Sequence, residues 1–419
     1  MELLRKELEN SIHWEETYNK MILKQGFSKD DKNLLWKLKE VYKDSIIEDL
    51  ISGKYEWSIP RKVGIAKADS KKKRIVYIYN IKDRYVLGVL YRAVSKRYID
   101  KIPNSCFSYK KGTSTSNAIQ YIKENKTDEL KYGVKVDIHA YFNSVSREKV
   151  TSMINELFQD GLKETVEKLM LNDTVDWKGK KIQEWKALIP GCAFGSFFAN
   201  ICLKQCDEYF ESKNKVYARY SDDIIVLESS KEELQKDIDI IMKFLNEYGL
   251  TMNPDKYTWF EPGDDVEYLG LKLRGDGNID ISDHARKKIK KQIHRWCRKG
   301  RMEIERDYKD FRPVAKRIIR QFNNKNFMCI VDNSSTFGWC SYSFSKITTV
   351  DSLREIDLYF KDTLRAMKTG KHNKANFKAI SDEEFKELGW VSLVELYYLY
   401  KSDYDYFMEI AELHKHIGR

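Results

Sequence analysis

Two apolar runs joined by a short polar step constrain the fold of this chain more than any other stretch. The first run is 216–220 (Val-Tyr-Ala-Arg-Tyr) and the second is 224–227 (Ile-Ile-Val-Leu). β-Branched and aromatic residues favour strands, and a short polar connection between two such runs favours a tight hairpin. The pattern therefore predicts two neighbouring strands whose turn presents Asp222 and Asp223.

A third acidic residue, Asp137, suggests a function for this turn. An isolated Asp pair at a turn is explained by hydrogen bonds to the local backbone. Asp137, however, is embedded in the apolar segment 133–138, where an unpaired carboxylate is costly to bury unless a cation compensates it. One economical solution is a divalent metal site shared by Asp137, Asp222 and Asp223. Divalent ions such as Mg²⁺ prefer such hard oxygen ligands.

The segments 137–142 (Asp-Ile-His-Ala-Tyr-Phe) and 220–223 (Tyr-Ser-Asp-Asp) resemble the two carboxylate motifs of reverse transcriptases. The resemblance implies an RNA-directed DNA polymerase that works by nucleotidyl transfer with two Mg²⁺ ions. The metal ligands that it implies are Asp137, Asp222, Asp223 and the backbone carbonyl of Ile138.

Other motifs of the same family follow in order along the chain. The basic stretch 67–74 predicts a loop that leads into a strand, and the resemblance implies that it contacts a triphosphate. The segment 107–112 resembles the part of the family that lines the template. The Gly-containing segment 187–201 implies close approach of the backbone to the nucleotide. Phe142 would fill the space that a ribose 2′-hydroxyl needs. The family commonly has Pro-Gln-Gly where this chain has 189–191 (Ile-Pro-Gly), so a nucleotide contact is missing. The implied nucleotide-binding residues are Lys67, Lys73, Arg74, Phe142 and Gly191.

Three downstream features extend the resemblance. Lys256 stands where the family has a Lys near the leaving pyrophosphate, which could act as general acid. Leu269 and Gly270 resemble the bend of the primer-grip hairpin. The basic segment 284–320 has an apolar helical stripe and basic residues elsewhere, as expected of a thumb that follows a duplex by charge and A-form shape. The implied nucleic-acid-binding residues are Lys287, Lys288, Lys291, Arg295 and Arg298.

The predicted fold class is α+β, a right-hand polymerase with fingers, an RRM-like palm and a helical thumb. From 134 onward the order strand, helices, hairpin, helix, strand is that of a split βαβ palm. The predicted boundaries are 1–60 for a helical N-terminal segment, 61–132 for the fingers, 133–280 for the palm with interleaved fingers and palm helices, 281–330 for the basic helical thumb, and 331–419 for a mostly helical C-terminal extension.

Composition limits the partners and the compartment. A net charge of +11 and a pI near 9.0 favour an acidic polymer as partner. The seven cysteines are odd in number and include no Cys-x-x-Cys pair, which argues against a disulfide framework or a structural zinc site and favours the cytoplasm. Because the chain contains no apolar run long enough to cross a bilayer, no membrane span and no export are expected.

The expected partners are dNTPs, a structured noncoding RNA template and the DNA product. The layout most resembles the bacterial reverse transcriptases of antiphage defence, the defence-associated "unknown group", some of which form oligomers, so a homo-oligomer is also expected. Retron and diversity-generating reverse transcriptases are alternatives. An RNA-dependent RNA polymerase would be expected to hold a hydrogen-bonding residue in place of Phe142. A catalytically silent RNA-binding scaffold is the remaining alternative.

Overall fold

The computed structural model describes residues 2–23, 27–66, 73–110, 112–127, 130–253, 258–307, 310–327, 330–332, 335–336 and 339–409. The chain divides into two compact units, Met1–Pro262 and Gly263–Arg419. Each unit has its own secondary structure and its own buried residues.

The first unit combines twelve described helices with eight described strands. The helices are α1 (Glu2–Glu9), α2 (Ser11–Ile22), α3 (Lys29–Glu40), α4 (Lys43–Ile51), α5 (Ile81–Tyr98), α6 (Thr115–Asn125), α7 (Tyr141–Ser144), α8 (Arg147–Leu157), α9 (Asp160–Leu171), α10 (Ala193–Cys202), α11 (Lys204–Ser212) and α12 (Lys231–Glu247), with a 3-10 turn at Ile99–Lys101. The strands are β1 (Arg61–Ala66), β2 (Lys73–Ile78), β3 (Tyr132–Asp137), β4 (Thr174–Trp177), β5 (Lys180–Gln183), β6 (Val216–Tyr220), β7 (Asp223–Glu228) and β8 (Thr258–Phe260).

The helical N-terminal segment is confirmed by α1 to α4. Ser28 and Asp31 form a reciprocal capping box that satisfies exposed N–H groups at the start of α3. Helices α1, α2 and α3 pack on α5, where Tyr85 donates its hydroxyl to the carbonyl of Trp14 at 2.9 Å, whereas α4 packs on α9. This packing anchors α5, which lies beside α10 in the interior of the unit.

Two four-stranded sheets organise the rest of the first unit. One has the order β2-β1-β4-β5, with β1 antiparallel to β2 and parallel to β4. The other has the order β6-β7-β3-β8 with antiparallel neighbours throughout, and α12 packs on β3 and β7. Ser230 caps α12 by accepting a hydrogen bond from the N–H of Glu233. The predicted palm sheet, and with it the α+β class, is confirmed.

The second unit is mostly helical in the part that the structure describes. Its strands are β9 (Val266–Tyr268), β10 (Leu271–Leu273), β11 (Ile279–Ile281), β12 (Ile330–Asp332) and β13 (Ser335–Thr336). Its helices are α13 (Asp283–Asp307), α14 (Phe311–Phe327), α15 (Trp339–Phe344), α16 (Asp351–Thr369), α17 (Asp382–Glu387) and α18 (Leu393–Ser402), with a 3-10 turn at Lys374–Ala379. The first three strands form a sheet of order β11-β10-β9.

Aromatic stacking fills the helical core of this unit. Phe360 lies 4.5 Å from both Phe322 and Trp390 between ring centroids. At Gly300 of α13 the neighbouring helices come so close that an added Cβ would lie 2.7 Å from Ile318 Cδ1 and 2.8 Å from Met367 Sδ. A side chain at this position would therefore require the ends of Ile318 and Met367 to shift.

None of the helices in the described part of the chain has the length and apolar character that a membrane crossing requires. The six cysteines in the described ranges are buried, and none of them forms a disulfide bond. The boundary at 262/263 lies within the segment 133–280 that the sequence assigned to the palm. The five-segment division stays a prediction.

Candidate active site

The three acidic residues come together at one end of the palm sheet. Asp137 is the last residue of β3 and pairs in register with Asp223, the first residue of β7. The N–H of Ile138 donates to the backbone carbonyl of Asp222 at 3.0 Å, which places the second turn residue against the end of β3. Residues directly opposite each other on antiparallel strands have Cβ atoms about 4.5–5.5 Å apart. Two carboxylates are therefore neighbours across the strands, with the third beside them.

The hairpin turn is a two-residue connection between β6 and β7, because Tyr220 pairs with Asp223. Ser221 has a φ of 62°, in the left-handed region that costs a side-chain-bearing residue free energy. Two contacts hold Ser221 in this conformation. Its carbonyl accepts from Arg219 Nη1 at 3.3 Å, and its hydroxyl accepts from the hydroxyl of Tyr109 at 3.2 Å.

A fully buried ion pair lies beneath the turn. Arg219 and Asp207 are each 0% exposed, and Arg219 donates to both carboxylate oxygens, at 2.8 Å from Nε and 2.5 Å from Nη2. The hydroxyl of Tyr217 donates to the same carboxylate at 2.9 Å, and the carbonyl of Asn200 accepts from Arg219 at 3.2 Å. Burial lowers the pKa of Arg219, but the charge of Asp207 outweighs it and the pKa lies above its usual value. Arg219 is therefore a charged, fixed support for the turn.

Neighbouring side chains hold two of the three acidic residues. Asn253 donates its backbone N–H to the Asp137 carbonyl at 2.7 Å and its side-chain amide to Asp137 Oδ2 at 3.2 Å. Lys135 Nζ lies 3.6 Å from Asp223 Oδ1. These contacts orient one oxygen of the Asp137 carboxylate and one oxygen of the Asp223 carboxylate.

The donor set suits a divalent metal in its chemistry. Reverse transcriptases as a family use divalent metals, and carboxylate oxygens are the ligands that such hard ions prefer. Within the described residues, no three His, Cys, Asp or Glu side chains are already gathered into a metal-binding group. The pairing of β3 with β7 places Asp137 opposite Asp223, and the hydrogen bond from Ile138 places the backbone of Asp222 against the end of β3.

The predicted gate residue, Phe142, lies in the short helix that follows Asp137 in the chain. Ala140 has a φ of 47° and turns the chain from β3 into the single-turn helix α7, which carries Phe142. The carbonyl of Phe142 accepts from the N–H of Leu188 at 3.0 Å, so the loop 186–192 is fixed against it. Tyr141 is buried beside Phe142 with ring centroids 5.7 Å apart, and Phe142 itself is half-buried.

Strand alternation separates the two basic residues of β2. The N–H of Tyr77 donates to the carbonyl of Pro190 at 2.9 Å, so the loop that carries Gly191 lies along the edge of β2, and an added Cβ at Gly191 would lie 3.0 Å from Val76 Cβ on one face of the strand. Arg74 is two residues away and shares that face. Lys73 lies on the opposite face, together with Tyr77, whose hydroxyl donates to Glu184 at 2.8 Å. The sequence pattern assigned Lys73 and Arg74 to a loop, and this is corrected, since both belong to β2.

Of the other predicted site residues, two lie outside the described residues and the rest lie in the second unit. Lys67 and Lys256 lie outside the described residues. Leu269 and Gly270 form the turn between β9 and β10 in the second unit, both with positive φ, at 51° and 82°. The basic set on α13 is exposed, whereas Ile293 and Cys297 of the same helix are buried. That set comprises Lys287, Lys288, Lys291, Arg295 and Arg298. The roles predicted for all of these residues stay predictions.

Sequence reasoning missed Asn253 and the Arg219–Asp207 pair, and it placed Tyr109 only in the template-side segment 107–112, without its contacts at this site. One signal was present for Arg219, since a charged residue in the apolar run 216–220 raises the same question as Asp137 does in its own strand. Tyr109 and Asn253 have no such signal, because their importance comes from contacts that are distant in sequence.

Comparison with known proteins decides the family. Residues 65–273 match the family model described as "Reverse transcriptase (RNA-dependent DNA polymerase)". This chain carries a reverse transcriptase domain. The matched range contains Arg74, Asp137, Gly191 and the hairpin, and the prediction of a reverse transcriptase domain is confirmed.

Individual relatives of this reverse transcriptase domain are distant. The "Enzymatic polyprotein" of Soybean chlorotic mottle virus is 30% identical over 128 residues, which are 28% of this chain and 18% of the viral protein. "Retron Ec86 reverse transcriptase" of Escherichia coli is 24% identical over 248 residues, 57% of this chain and 70% of that protein. A telomerase structure from Candida tropicalis matches at a TM-score of 0.44 and 14% identity, covering 54% of this chain and 55% of the telomerase chain. The chain thus spans less than a fifth of the viral polyprotein and about half of the telomerase chain.

Proposed function

We propose that this reverse transcriptase domain is an active polymerase that copies RNA into DNA with two Mg²⁺ ions. The observation that supports the proposal most is the register pair Asp137–Asp223 with Asp222 beside it at the end of β3. When bound, two ions at such a site activate the primer 3′-hydroxyl and stabilise the charge on the leaving pyrophosphate.

Each part of the site then has a distinct task in metal binding. Asp137 and Asp222 are the principal ligands, Asp223 supports them, and the carbonyl of Ile138 supplies a further oxygen. Asn253 holds Asp137 through its amide, and Lys135 holds Asp223 by charge. Because strand pairing and the hydrogen bond from Ile138 hold the backbones of these ligands, little backbone reorganisation is needed as charge develops in the transition state.

The nucleotide lies on the Gly191 side of β2 in this proposal. Arg74 binds the triphosphate, since it shares the Gly191 face, and Arg can bind phosphate through two parallel hydrogen bonds. Lys67 and Lys73 remain proposed as further phosphate contacts, and Lys256 as the proton donor to pyrophosphate. Phe142 excludes the ribose 2′-hydroxyl and thereby selects deoxynucleotides. Leu269 and Gly270 hold the primer strand.

Primer extension on an RNA template tests the proposal. We expect the purified chain to extend a primer with dNTPs, and the variant Asp222→Ala/Asp223→Ala to lose extension while it still binds RNA. Asp239→Ala is the matched control, because it removes an exposed acidic residue of α12 in the same unit. Equal extension by wild type and the double variant would refute the proposed site. Preferential use of ribonucleotides would instead indicate an RNA polymerase.

We further propose that the template is a structured noncoding RNA and that the DNA product acts in antiphage defence in the bacterial cytoplasm. Support comes from the similarity to a retron reverse transcriptase of Escherichia coli and from the exposed basic side of α13, whose charge suits an RNA backbone. In this proposal the enzyme forms a homo-oligomer.

Sequencing of copurified nucleic acid and phage infection test this part. We expect one defined RNA species with complementary DNA, and protection from phage that disappears in Asp222→Ala/Asp223→Ala. Protection that survives in this variant would indicate an RNA-binding scaffold. Random cellular RNA, with no complementary DNA, would contradict a dedicated template. Light scattering of the purified complex measures the oligomeric state.

A further inference from the structure

The side chain of Tyr109 lies where the candidate gate and the hairpin turn meet. Its ring contacts Phe142 edge to face, with centroids 6.3 Å apart and an interplanar angle of 89°. The same ring lies 6.5 Å from that of Tyr220, and its hydroxyl donates to the hydroxyl of Ser221 at 3.2 Å. Tyr109 therefore links Phe142 to the residues directly before Asp222.

The backbone holds Tyr109 in this position. Its φ is 51°, a left-handed conformation that a tyrosine adopts at a cost in free energy. Its carbonyl accepts from the hydroxyl of Tyr91 in α5 at 2.9 Å, and the nearby N–H of Phe107 donates to the carbonyl of Arg219 at 2.9 Å. The segment that carries Tyr109 is thus fixed to both α5 and β6, so the ring is positioned by the protein itself.

The electrostatic surroundings agree with a fixed hydroxyl donor. Tyr109 is 38% exposed, and its partial burial raises the pKa of its hydroxyl, whereas the hydrogen bond with Ser221 lowers this pKa. The charge of Asp222 raises the pKa further, and the charge of Arg74 lowers it. The hydroxyl therefore stays protonated at neutral pH and donates to Ser221.

Phe142 has aromatic support on two sides. Tyr141 is fully buried, and its hydroxyl donates to the carbonyl of Ala199 at 2.5 Å, so its ring gives a fixed wall. Tyr109 supplies the other contact from outside α7. A Phe ring that loses one of two walls gains rotational freedom, and it then fills the space of a 2′-hydroxyl for a smaller share of the time.

We propose that Tyr109 is a positioning residue for sugar selection, which holds the ring of Phe142 in the orientation that excludes ribonucleotides. This inference rests on the proposed polymerase function. It assigns to Tyr109 an action through Phe142, not a contact with the substrate. The discrimination between dNTP and rNTP should therefore depend on the ring of Tyr109 and not on its hydroxyl.

The test measures kcat/KM for one dNTP and its matching rNTP in primer extension. We expect Tyr109→Ala to lower the dNTP/rNTP ratio about threefold to tenfold, as the loss of one aromatic pair implies, mainly through a lower KM for the rNTP. Tyr109→Leu, which keeps most of the volume, should lie between Ala and wild type. Tyr109→Phe and Ser221→Ala remove the hydroxyl contact alone and should keep the wild-type ratio within about twofold, whatever their effect on the overall rate.

A double-variant comparison separates this inference from the proposed function. If Tyr109 acts through Phe142, Tyr109→Ala added to Phe142→Ala should lower the ratio no further than Phe142→Ala does alone. An unchanged ratio in Tyr109→Ala, alongside a reduced ratio in Phe142→Ala, would overturn the inference and leave the polymerase function standing. A reduced ratio in Tyr109→Phe would also overturn it. No extension by the wild type with any nucleotide would refute the function itself.

Discussion

The palm hairpin and helix α13 both carry charged residues, and they do so in opposite ways. Beneath the hairpin, Arg219 and Asp207 are completely buried and satisfied by each other and by backbone carbonyls. On α13 the basic residues are exposed, and apolar residues such as Ile293 and Cys297 face the interior. Buried charges need fixed partners, whereas exposed charges act additively through solvent. The hairpin should therefore depend on single residues, and α13 on the sum of several.

The largest expected effect follows the removal of Arg219. Arg219→Ala leaves the buried carboxylate of Asp207 without its cation, and we expect the free energy of unfolding of the first unit to fall by about 3–5 kcal/mol. Urea denaturation followed by tryptophan fluorescence measures this. Lys287→Ala on α13 is the matched control and should change the free energy of unfolding by less than about 0.5 kcal/mol.

A double variant sharpens this prediction. Arg219→Met/Asp207→Leu replaces the ion pair by apolar side chains and should recover most of the lost stability. It cannot restore the hydrogen bond to the Ser221 carbonyl, so primer extension should stay impaired. A loss below about 1 kcal/mol for Arg219→Ala would contradict the role of the buried pair.

A second buried ionisable residue of the first unit, Lys186, should make the free energy of unfolding depend on pH. Lys186 is 1% exposed, donates to the carbonyl of Asn172, and burial lowers its pKa to about 8 from the usual 10.5. Between these two values the unfolded chain binds more protons than the folded one, so this group adds stability as the pH rises from 8 to 10.5. The gain should amount to about 2–3 kcal/mol.

The variant Lys186→Met should lack this gain. We expect the difference in free energy of unfolding between wild type and Lys186→Met to grow in favour of wild type across that pH range. Lys180→Met removes an exposed lysine of β5 and is the control, with a constant difference. Parallel pH profiles for wild type and Lys186→Met would show that burial does not lower the pKa of Lys186.

Substitutions on the apolar side of α13 should lower the free energy of unfolding, whereas substitutions on its basic side should not. In Gly300→Ala the new Cβ would meet Ile318 and Met367 at less than 3 Å. Overpacking costs about 1–3 kcal/mol and the better helix propensity of Ala returns up to about 1 kcal/mol, so we expect a net loss of about 1 kcal/mol. Calorimetry measures it, with Lys299→Ala as the exposed control. A higher melting temperature for Gly300→Ala would contradict this close packing.

The smallest effects are expected for single residues of the basic side of α13. Lys287→Gln or Arg298→Gln should each reduce the slope of log affinity for RNA against log salt by about 1, with a modest loss of affinity. Lys290→Gln is the matched control, because Lys290 already pairs with Glu355 within its own unit. Filter binding over a range of salt concentrations measures the slopes. An affinity that ignores salt would contradict phosphate binding by this helix.

The sequence predicted those parts of the site in which acidic residues lie within or between apolar runs. Asp137 and the Asp222-Asp223 turn were identifiable because acidic residues interrupt apolar strands, and strand pairing then brings them together. The sorting of Lys73 and Arg74 to opposite faces of β2 was not predictable, since it required knowing that the strand begins at Lys73. The contacts of Tyr109 with Phe142 and Ser221 were missed because they depend on a left-handed backbone and on long-range packing.

The measurement that tests the central claim most directly is anomalous diffraction from crystals grown with Mn²⁺, a primed RNA template and an incoming dNTP. We expect two peaks about 3.5–4 Å apart, each within about 2.1 Å of carboxylate oxygens of Asp137 and Asp222. Asp137→Asn should lose both peaks. Ordered nucleotide without any peak between Asp137 and the hairpin turn would contradict the proposal that these acidic residues bind the catalytic metals.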